Sequence, residues 1–309
     1  MPTSQINTAK PKVRSRYKRD KAYSKPLQLT KRDVDILKAV GDYRLLTAYQ
    51  ITKLFFGSLH KGRKRLFRLW QHGFLDRRFQ PVRLGEGASQ VLYALSRPGA
   101  QLLATRNGTI TEGRAPVPFT SRGSALFVDH ALKLNDFRVA LTMACNNRSD
   151  TKLLFWKQGN SIKHTVSFVN GHGKMTSQRI AVLADGFFGL EHNNLKRYYF
   201  VEIDRGTISN RRMLSRMKGY YHLWLQRQSL RQLQINSFRV LIVTTSTARM
   251  ENLIRTARQV RNGNGGAHLF WFTTFDQYDL EEPQTIIASI WKRSVSENGT
   301  PCSLLGRPA

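Results

Sequence analysis

The chain has 309 residues, 50 of them Lys or Arg against 20 Asp or Glu, for a formal net charge of +30. Hydrophobic residues are 40% and aromatics 10%, enough for buried cores, which excludes a wholly disordered basic protein. The length allows two compact domains, and a globular chain this basic is expected beside a polyanion, nucleic acid first.

In chain order, residues 1–26 hold eight basic side chains against one acid, Asp20, and read as a disordered basic arm. Thr30, with Asp33 three residues later, caps a helix whose apolar stripe is Val34, Ile36, Leu37 and Val40; Gly41 ends it. Thr47 caps a second short helix, and a third runs from about Ser58 to Gln71, with Gly73 past its end. Two strands, Phe74–Phe79 and Gln90–Leu95, flank a loop with Gly85 and Gly87, and a helix capped by Ser96 closes the unit at 105. Three short helices followed by a hairpin have the layout of a winged helix-turn-helix over residues 27–105. Residues 106–122, rich in Gly, Pro and Thr, read as a linker.

A long helix, about 124–146, opens a second domain over 123–293. Strands are expected near 152–157, 163–169, 180–190 and 197–203, then a helix over 208–227. A fully buried strand at 238–244, a helix at 247–261 and a strand at 268–272 follow. The alternating end of this order predicts a small mixed α/β sheet with crossover helices, so the fold class is α+β in two domains. Residues 294–309 read as a flexible tail. No apolar run of about 18 residues could span a membrane. Cys145 and Cys302 stand too far apart in sequence for a zinc-ligand pair, and the cytoplasm is the expected compartment.

The third helix carries Lys61, Arg63, Lys64, Arg65 and Arg68 and no acid. With Leu66, Phe67 and Trp70 turned inward, its basic side chains line the other face, which suits insertion into a major groove between two phosphate rows. Arg77, Arg78 and Arg83 lie on the hairpin, where a wing would touch the flanking backbone. Such phosphate contacts give affinity without sequence choice, so no base-reading residue is assigned.

Acids are scarce, and their convergence is therefore informative. Glu202 and Asp204 stand two apart at the end of a strand, on one face. A hairpin turn centred between Asn193 and Asn194 sets Asp185 directly opposite Glu202, with side chains roughly 5 Å apart. Carboxylates so placed repel unless a cation lies between them, and oxygen ligands suit Mg²⁺ or Mn²⁺. A divalent ion beside DNA can activate water at a phosphodiester. The alternative is that Glu202 and Asp204 form structural ion pairs with Arg205 or Arg211. On the helix that follows, a stripe of Leu214, Met217, Tyr221 and Trp224 leaves Lys218 on the flank, about 80° from its centre.

Three blocks carry a family likeness in the N-terminal half: Leu29-Thr30-Lys31-Arg32-Asp33, Leu46-Thr47-Ala48-Tyr49-Gln50-Ile51, and Arg65-Leu66-Phe67-Arg68-Leu69-Trp70 with Gly73-Phe74-Leu75-Asp76. A more specific block is Phe200-Val201-Glu202-Ile203-Asp204-Arg205-Gly206-Thr207, followed by Lys218-Gly219-Tyr220-Tyr221. Over about residues 27–260 the chain resembles the replication-relaxation family of bacterial plasmids and mobile elements. The resemblance implies a winged-helix DNA-binding domain joined to a restriction-endonuclease-like αβββαβ domain, serving plasmid replication or mobilisation. Asp185 and Glu202 would match the two acids of the nuclease motif. That motif places Lys two residues after the second acid, where this chain has Asp204, and Lys218 is the candidate substitute.

Three functions compete. The first is an Mg²⁺-dependent nickase or endonuclease, with Asp185, Glu202 and Asp204 holding metal and Lys218 assisting. The second is a non-catalytic replication accessory or regulator whose nuclease-like domain is an interaction platform, which the Asp204 departure favours. The third is a relaxase acting through Tyr220 or Tyr221 beside His222; paired aromatics on an apolar helix face read instead as core, and His172 has no spaced His partner. Expected partners are double-stranded DNA and replication or mobilisation proteins, with a homodimer left open and association with plasmid or nucleoid. His130, beside Asp129, reads as a packing residue, and Asp276, Asp279, Glu281 and Glu282 as a solvated acidic patch.

Overall fold

The computed structural model of the chain describes residues 18–20, 26–79, 90–107, 125–169, 177–226, 230–231, 233–260, 267–295 and 300–306. They fall into two compact units that divide between Leu126 and Phe127.

In the first unit, α1 (Lys31–Tyr43) begins at a capping box: the Thr30 hydroxyl accepts from the Asp33 N–H and the Asp33 carboxylate accepts from the Thr30 N–H. The exchange satisfies amides that no helical partner reaches. After β1 (Leu46–Thr47), Thr47 and Gln50 repeat the device at α2 (Ala48–Phe55). Helix α3 (Leu59–Gln71) stops before Gly73, whose φ of +84° suits glycine. Strands β2 (Leu75–Phe79) and β3 (Val91–Leu95) join β1 in an antiparallel sheet of order β1-β3-β2, and α4 (Arg97–Asn107) closes the unit. Ile36, Leu37, Val40, Ile51, Leu66, Leu69 and Leu75 are fully buried between helices and sheet, each worth about 1.5–3 kcal/mol of transfer free energy.

The basic arm is not wholly without structure. Arg19 donates from Nε to the Trp70 carbonyl at 2.8 Å and from Nη2 to the Leu75 carbonyl at 3.2 Å, while the Asp20 N–H donates to Gln71 Oε1 at 2.8 Å. One acceptor lies in the last turn of α3 and the other at the start of β2, and the several donors of a guanidinium let Arg19 serve both. The rest of the arm through residue 17, the linker at 108–122 and the hairpin loop lie outside the described residues.

The second unit holds α5 (Ala125–Asn146) and a six-stranded sheet. Its strands are β4 (Thr151–Lys157), β7 (Gly186–His192), β8 (Leu195–Ile203), β9 (Arg239–Thr244), β10 (Phe270–Thr274) and β11 (Lys292–Arg293), in the order β11-β10-β9-β8-β7-β4. Strands β4, β7 and β8 pair antiparallel, whereas β8, β9 and β10 run parallel. Parallel neighbours need crossovers, which α6 (Asn210–Leu225) and α7 (Thr247–Arg258) supply. Between β4 and β7 the chain forms a separate hairpin, β5 (Lys163–Val169) and β6 (Ser177–Leu183).

Two expectations are corrected here. The strand expected over 180–190 is two strands, broken at Ala184 and Asp185, where the chain leaves the hairpin and enters the main sheet. The tail expected after 293 folds back: Cys302 pairs antiparallel with Trp291, Leu304 is fully buried, and its carbonyl accepts from the Tyr199 hydroxyl at 2.7 Å. An apolar Leu and a buried phenol needing an acceptor supply the anchor.

Candidate functional site

Asn193 and Asn194 both take positive φ, +48° and +64°, forming the two-residue turn that suits a twisted hairpin. The turn sets Gly186 opposite Val201 and Phe187 opposite Phe200. One residue further on, the Asp185 N–H donates to the Val201 carbonyl at 3.0 Å and Asp185 Oδ2 accepts from the Ile203 N–H at 2.7 Å. These two bonds bracket Glu202, so Asp185 and Glu202 meet as the hairpin arithmetic expects.

Glu202 is 2% exposed. Arg216 Nη1 donates to its Oε2 at 2.9 Å, and the Tyr220 hydroxyl donates to its Oε1. Burial, then the charge of Asp185, push the Glu202 carboxyl above its ordinary range, against the pull of Arg216, Tyr220 and His130. On the other side, His130 of α5 places Nε2 2.9 Å from Asp185 Oδ1. That hydrogen bond raises the imidazole above its usual value in spite of burial. Next to it, Arg205 Nε lies 2.6 Å from Asp129 Oδ2.

Asp204 is held elsewhere. Its buried carboxylate accepts from Arg249 Nε at 2.8 Å and Nη2 at 3.3 Å, from Thr244 Oγ1 at 2.8 Å and from the Gly206 N–H at 3.3 Å. Arg249 comes from α7, and its planar fork matches a carboxylate on two points. The cation paired with Asp204 is Arg249 rather than Arg205 or Arg211. Among the described residues no group of three or more His, Cys, Asp or Glu is set to hold a metal. Both oxygens of Asp185 and both of Glu202 have an N–H or O–H partner from within the second unit.

Lys218 is exposed, and the cation at Glu202 is Arg216 instead. The buried side of α6 is Met213, Met217, Tyr220 and Tyr221, rotated from the stripe that the sequence suggests. Arg216 stands four residues before Tyr220 and so shares its face. Tyr220 is core by its ring and polar by its hydroxyl.

On α3, Lys61, Arg63, Lys64 and Arg68 are exposed. Arg65 is not available in the same way: its Nε donates to Asp33 Oδ1 at 2.7 Å, and its Nη2 to Asp33 Oδ2 and, at 3.0 Å, to the Gln28 carbonyl. Burial opposes ionisation of Asp33, but Arg65 and the Thr30 cap prevail and hold its carboxyl below the ordinary value. Arg77 lies over the rings of Trp70, Phe79 and Phe67, at 4.9, 5.0 and 5.4 Å from their centroids, where it cements α3 to β2. Arg78 is exposed and Arg83 lies outside the described residues.

The family model for replication-relaxation matches residues 37–236, about two thirds of the chain. The chain belongs to the replication-relaxation family. Comparison with curated proteins and with solved structures found no match. The replication-relaxation match spans α3, Asp185, Glu202, Arg216 and Tyr220, but stops short of Arg249. Sequence reasoning missed His130, Arg216, Tyr220 and Arg249 as partners of the acids. Only the four-residue step from Arg216 to Tyr220 is a local signal; the pairings with the acids join residues 14, 18, 45 and 55 positions apart.

Proposed function

We propose that this member of the replication-relaxation family is a DNA-binding protein of plasmid or mobile-element replication or mobilisation. In this reading the first unit is a winged helix-turn-helix and the second a restriction-endonuclease-like scaffold. The observation that carries it is α3, an acid-free helix with Lys61, Arg63, Lys64 and Arg68 exposed. A solvated surface helix ordinarily mixes signs, whereas a phosphate-facing one does not. The order α1-β1-α2-α3-β2-β3-α4 supports the winged-helix reading. The order α5-β4-β7-β8-α6-β9, with β5 and β6 as an inserted hairpin, supports the αβββαβ reading.

In the scaffold, Arg216 and Tyr220 orient Glu202, His130 orients Asp185, and Arg249 neutralises Asp204. These are internal pairings, and they favour a platform over a catalyst. The test is fluorescence anisotropy with duplex DNA from the cognate element. Binding at moderate salt, weakened by Lys64→Ala and Arg68→Ala, supports the reading; no binding at moderate salt overturns it.

A second reading, a Mg²⁺- or Mn²⁺-dependent nickase, is favoured by one observation: two acids, Asp185 and Glu202, face each other under burial, a repulsion that a cation would relieve. Incubating supercoiled cognate plasmid with either ion, with EDTA, and with Glu202→Ala decides between the two. Open circles from the wild type alone, and only with metal, would establish nicking; binding without a nick leaves the platform.

A further inference from the structure

The charge of the second unit is segregated. The sequence has no acid between Asp150 and Asp185, where five Lys or Arg fall, and none between Asp204 and Glu251, where nine fall. The first stretch contains the β5–β6 hairpin and the second contains α6. On α6, Arg211, Ser215 and Lys218 stand four and three residues apart, on the side away from the buried Met213, Met217, Tyr220 and Tyr221. All three are exposed, as is Arg212 beside them.

The hairpin is packed onto this helix. A Cβ on Gly219 would lie 2.9 Å from Ile180 Cγ2 and 3.2 Å from Val182 Cγ2, so the missing side chain lets β6 lie against α6. Gln226, at the end of the helix, donates from Nε2 to the Ser167 carbonyl at 2.9 Å. Val166 and Val182 are buried on the inner face of the hairpin, and strand alternation turns Lys163, Thr165, Ser167 and Arg179 to the outer face, where all four are exposed. These cations are not used within the fold. Glu202 pairs with Arg216, Asp204 with Arg249 and Glu251 with Lys292, and among the described residues no ion pair involves Arg211, Arg212, Lys218, Lys163 or Arg179. Arg211 and Arg212 do not serve the helix either: they stand in its first turn, which holds no acid and where the helix dipole disfavours positive charge.

We infer that the second unit carries its own surface for the backbone of duplex DNA, formed by the exposed side of α6 with Arg211, Arg212, Ser215 and Lys218 and by the outer face of the hairpin with Lys163 and Arg179. Arginine, lysine and hydroxyl donors are the groups that meet phosphate oxygens. A single-strand site stacks bases on aromatic rings, and among the described residues no exposed side chain of α6 or the hairpin is aromatic, which favours the duplex. The inference shares the DNA-binding reading of the chain but rests neither on the α3 surface nor on the acidic site.

Fluorescence anisotropy of the full-length protein with a duplex from the cognate element, over a range of salt, tests it. Arg211→Gln and Lys218→Gln are each expected to lower the slope of the logarithm of the binding constant against the logarithm of salt by about 0.9, and together to weaken binding about tenfold or more near 0.1 M salt. Lys163→Gln/Arg179→Gln carries the same expectation for the hairpin, and an unchanged slope there would remove the hairpin from the surface. Lys152→Gln removes one charge from an exposed position of β4, outside both elements, and is expected to leave the slope as it is. The melting temperature of Arg211→Gln should not fall, since the start of α6 sheds an unfavourable charge, so its lost binding is not lost folding. Full binding and an unchanged slope in Arg211→Gln/Lys218→Gln, with Lys64→Ala/Arg68→Ala still weakened, would overturn the inference and leave the α3 surface standing; the reverse pattern would remove α3 and keep the surface on the second unit. An equal loss of slope in Lys152→Gln would overturn it, because the attraction would then have no place on the unit. Tighter binding of a single strand of the same length, dependent on Arg211 and Lys218, would overturn the assignment to duplex DNA.

Discussion

Glu202 shows how a single carboxyl can set a pH dependence. Its proton affinity is raised from the ordinary 4.5, so above that pH the unfolded chain releases a proton that the folded chain retains. Folding stability therefore falls as pH rises from about 4.5 toward the raised value. His130 adds to the same trend: its affinity is raised above 6.5, and the stability it contributes at low pH is lost as pH rises through the folded value. Glu202→Gln removes the first contribution. Its melting temperature relative to wild type should climb between about pH 5 and pH 8, and a difference that stays flat or falls would contradict the raised affinity. Asp33 has the opposite sign. Arg65→Ala strips a buried carboxylate of its cation and should cost about 2–4 kcal/mol near neutral pH. The Asp33 contribution is present above 3.8 and is lost as pH falls below that value, so the penalty of the variant should shrink in acid. Urea unfolding at neutral and acid pH checks both the size and the trend.

Between elements, legibility follows the range of the interaction. The facing of Asp185 and Glu202 could be read because a two-residue Asn-Asn turn leaves one register, and register fixes every opposed pair along the hairpin. The caps at Thr30 and Thr47 could be read because they close within three residues. The break at Asp185 could not, since the apolar run from Ile180 to Leu190 does not say that its halves pair with different strands. Nor could the partners of Glu202 and Asp204, because the rotation of α6 and the placement of Arg249 are set by packing of the whole sheet. The junction between β3 and α4 makes a sharp test of such packing. A Cβ on Gly99 would lie 2.2 Å from the Phe74 carbonyl oxygen and 2.9 Å from Leu95 Cδ1. The backbone oxygen cannot rotate away, so Gly99→Ala should destabilise the first unit by about 2–3 kcal/mol despite its better helix propensity. Unchanged unfolding of the first unit would show that α4 shifts at little cost.

Across the whole chain, a net charge of +30 favours polyanions in general and does not by itself locate the surface that the proposed DNA binding would use. Salt dependence does. Removing one cation that neutralises a phosphate lowers the slope of the logarithm of the binding constant against the logarithm of salt by about 0.9. Lys64 and Arg68 are exposed on α3 four residues apart, so they share one face. The double variant Lys64→Ala/Arg68→Ala should therefore reduce the slope by about 2, uniformly across DNA sequences. Arg65 lies between them in sequence, but its guanidinium is bound to Asp33 and the Gln28 carbonyl. Arg65→Ala should leave the slope of the folded protein unchanged while lowering its stability. Anisotropy titrations over a range of salt, with all three proteins confirmed folded, separate the two behaviours. If Arg65→Ala lowered the slope as each surface cation does, its side chain would have to exchange Asp33 for phosphate on binding. If the double variant changed nothing, the attraction would belong to other cations and α3 would lose its place at the DNA.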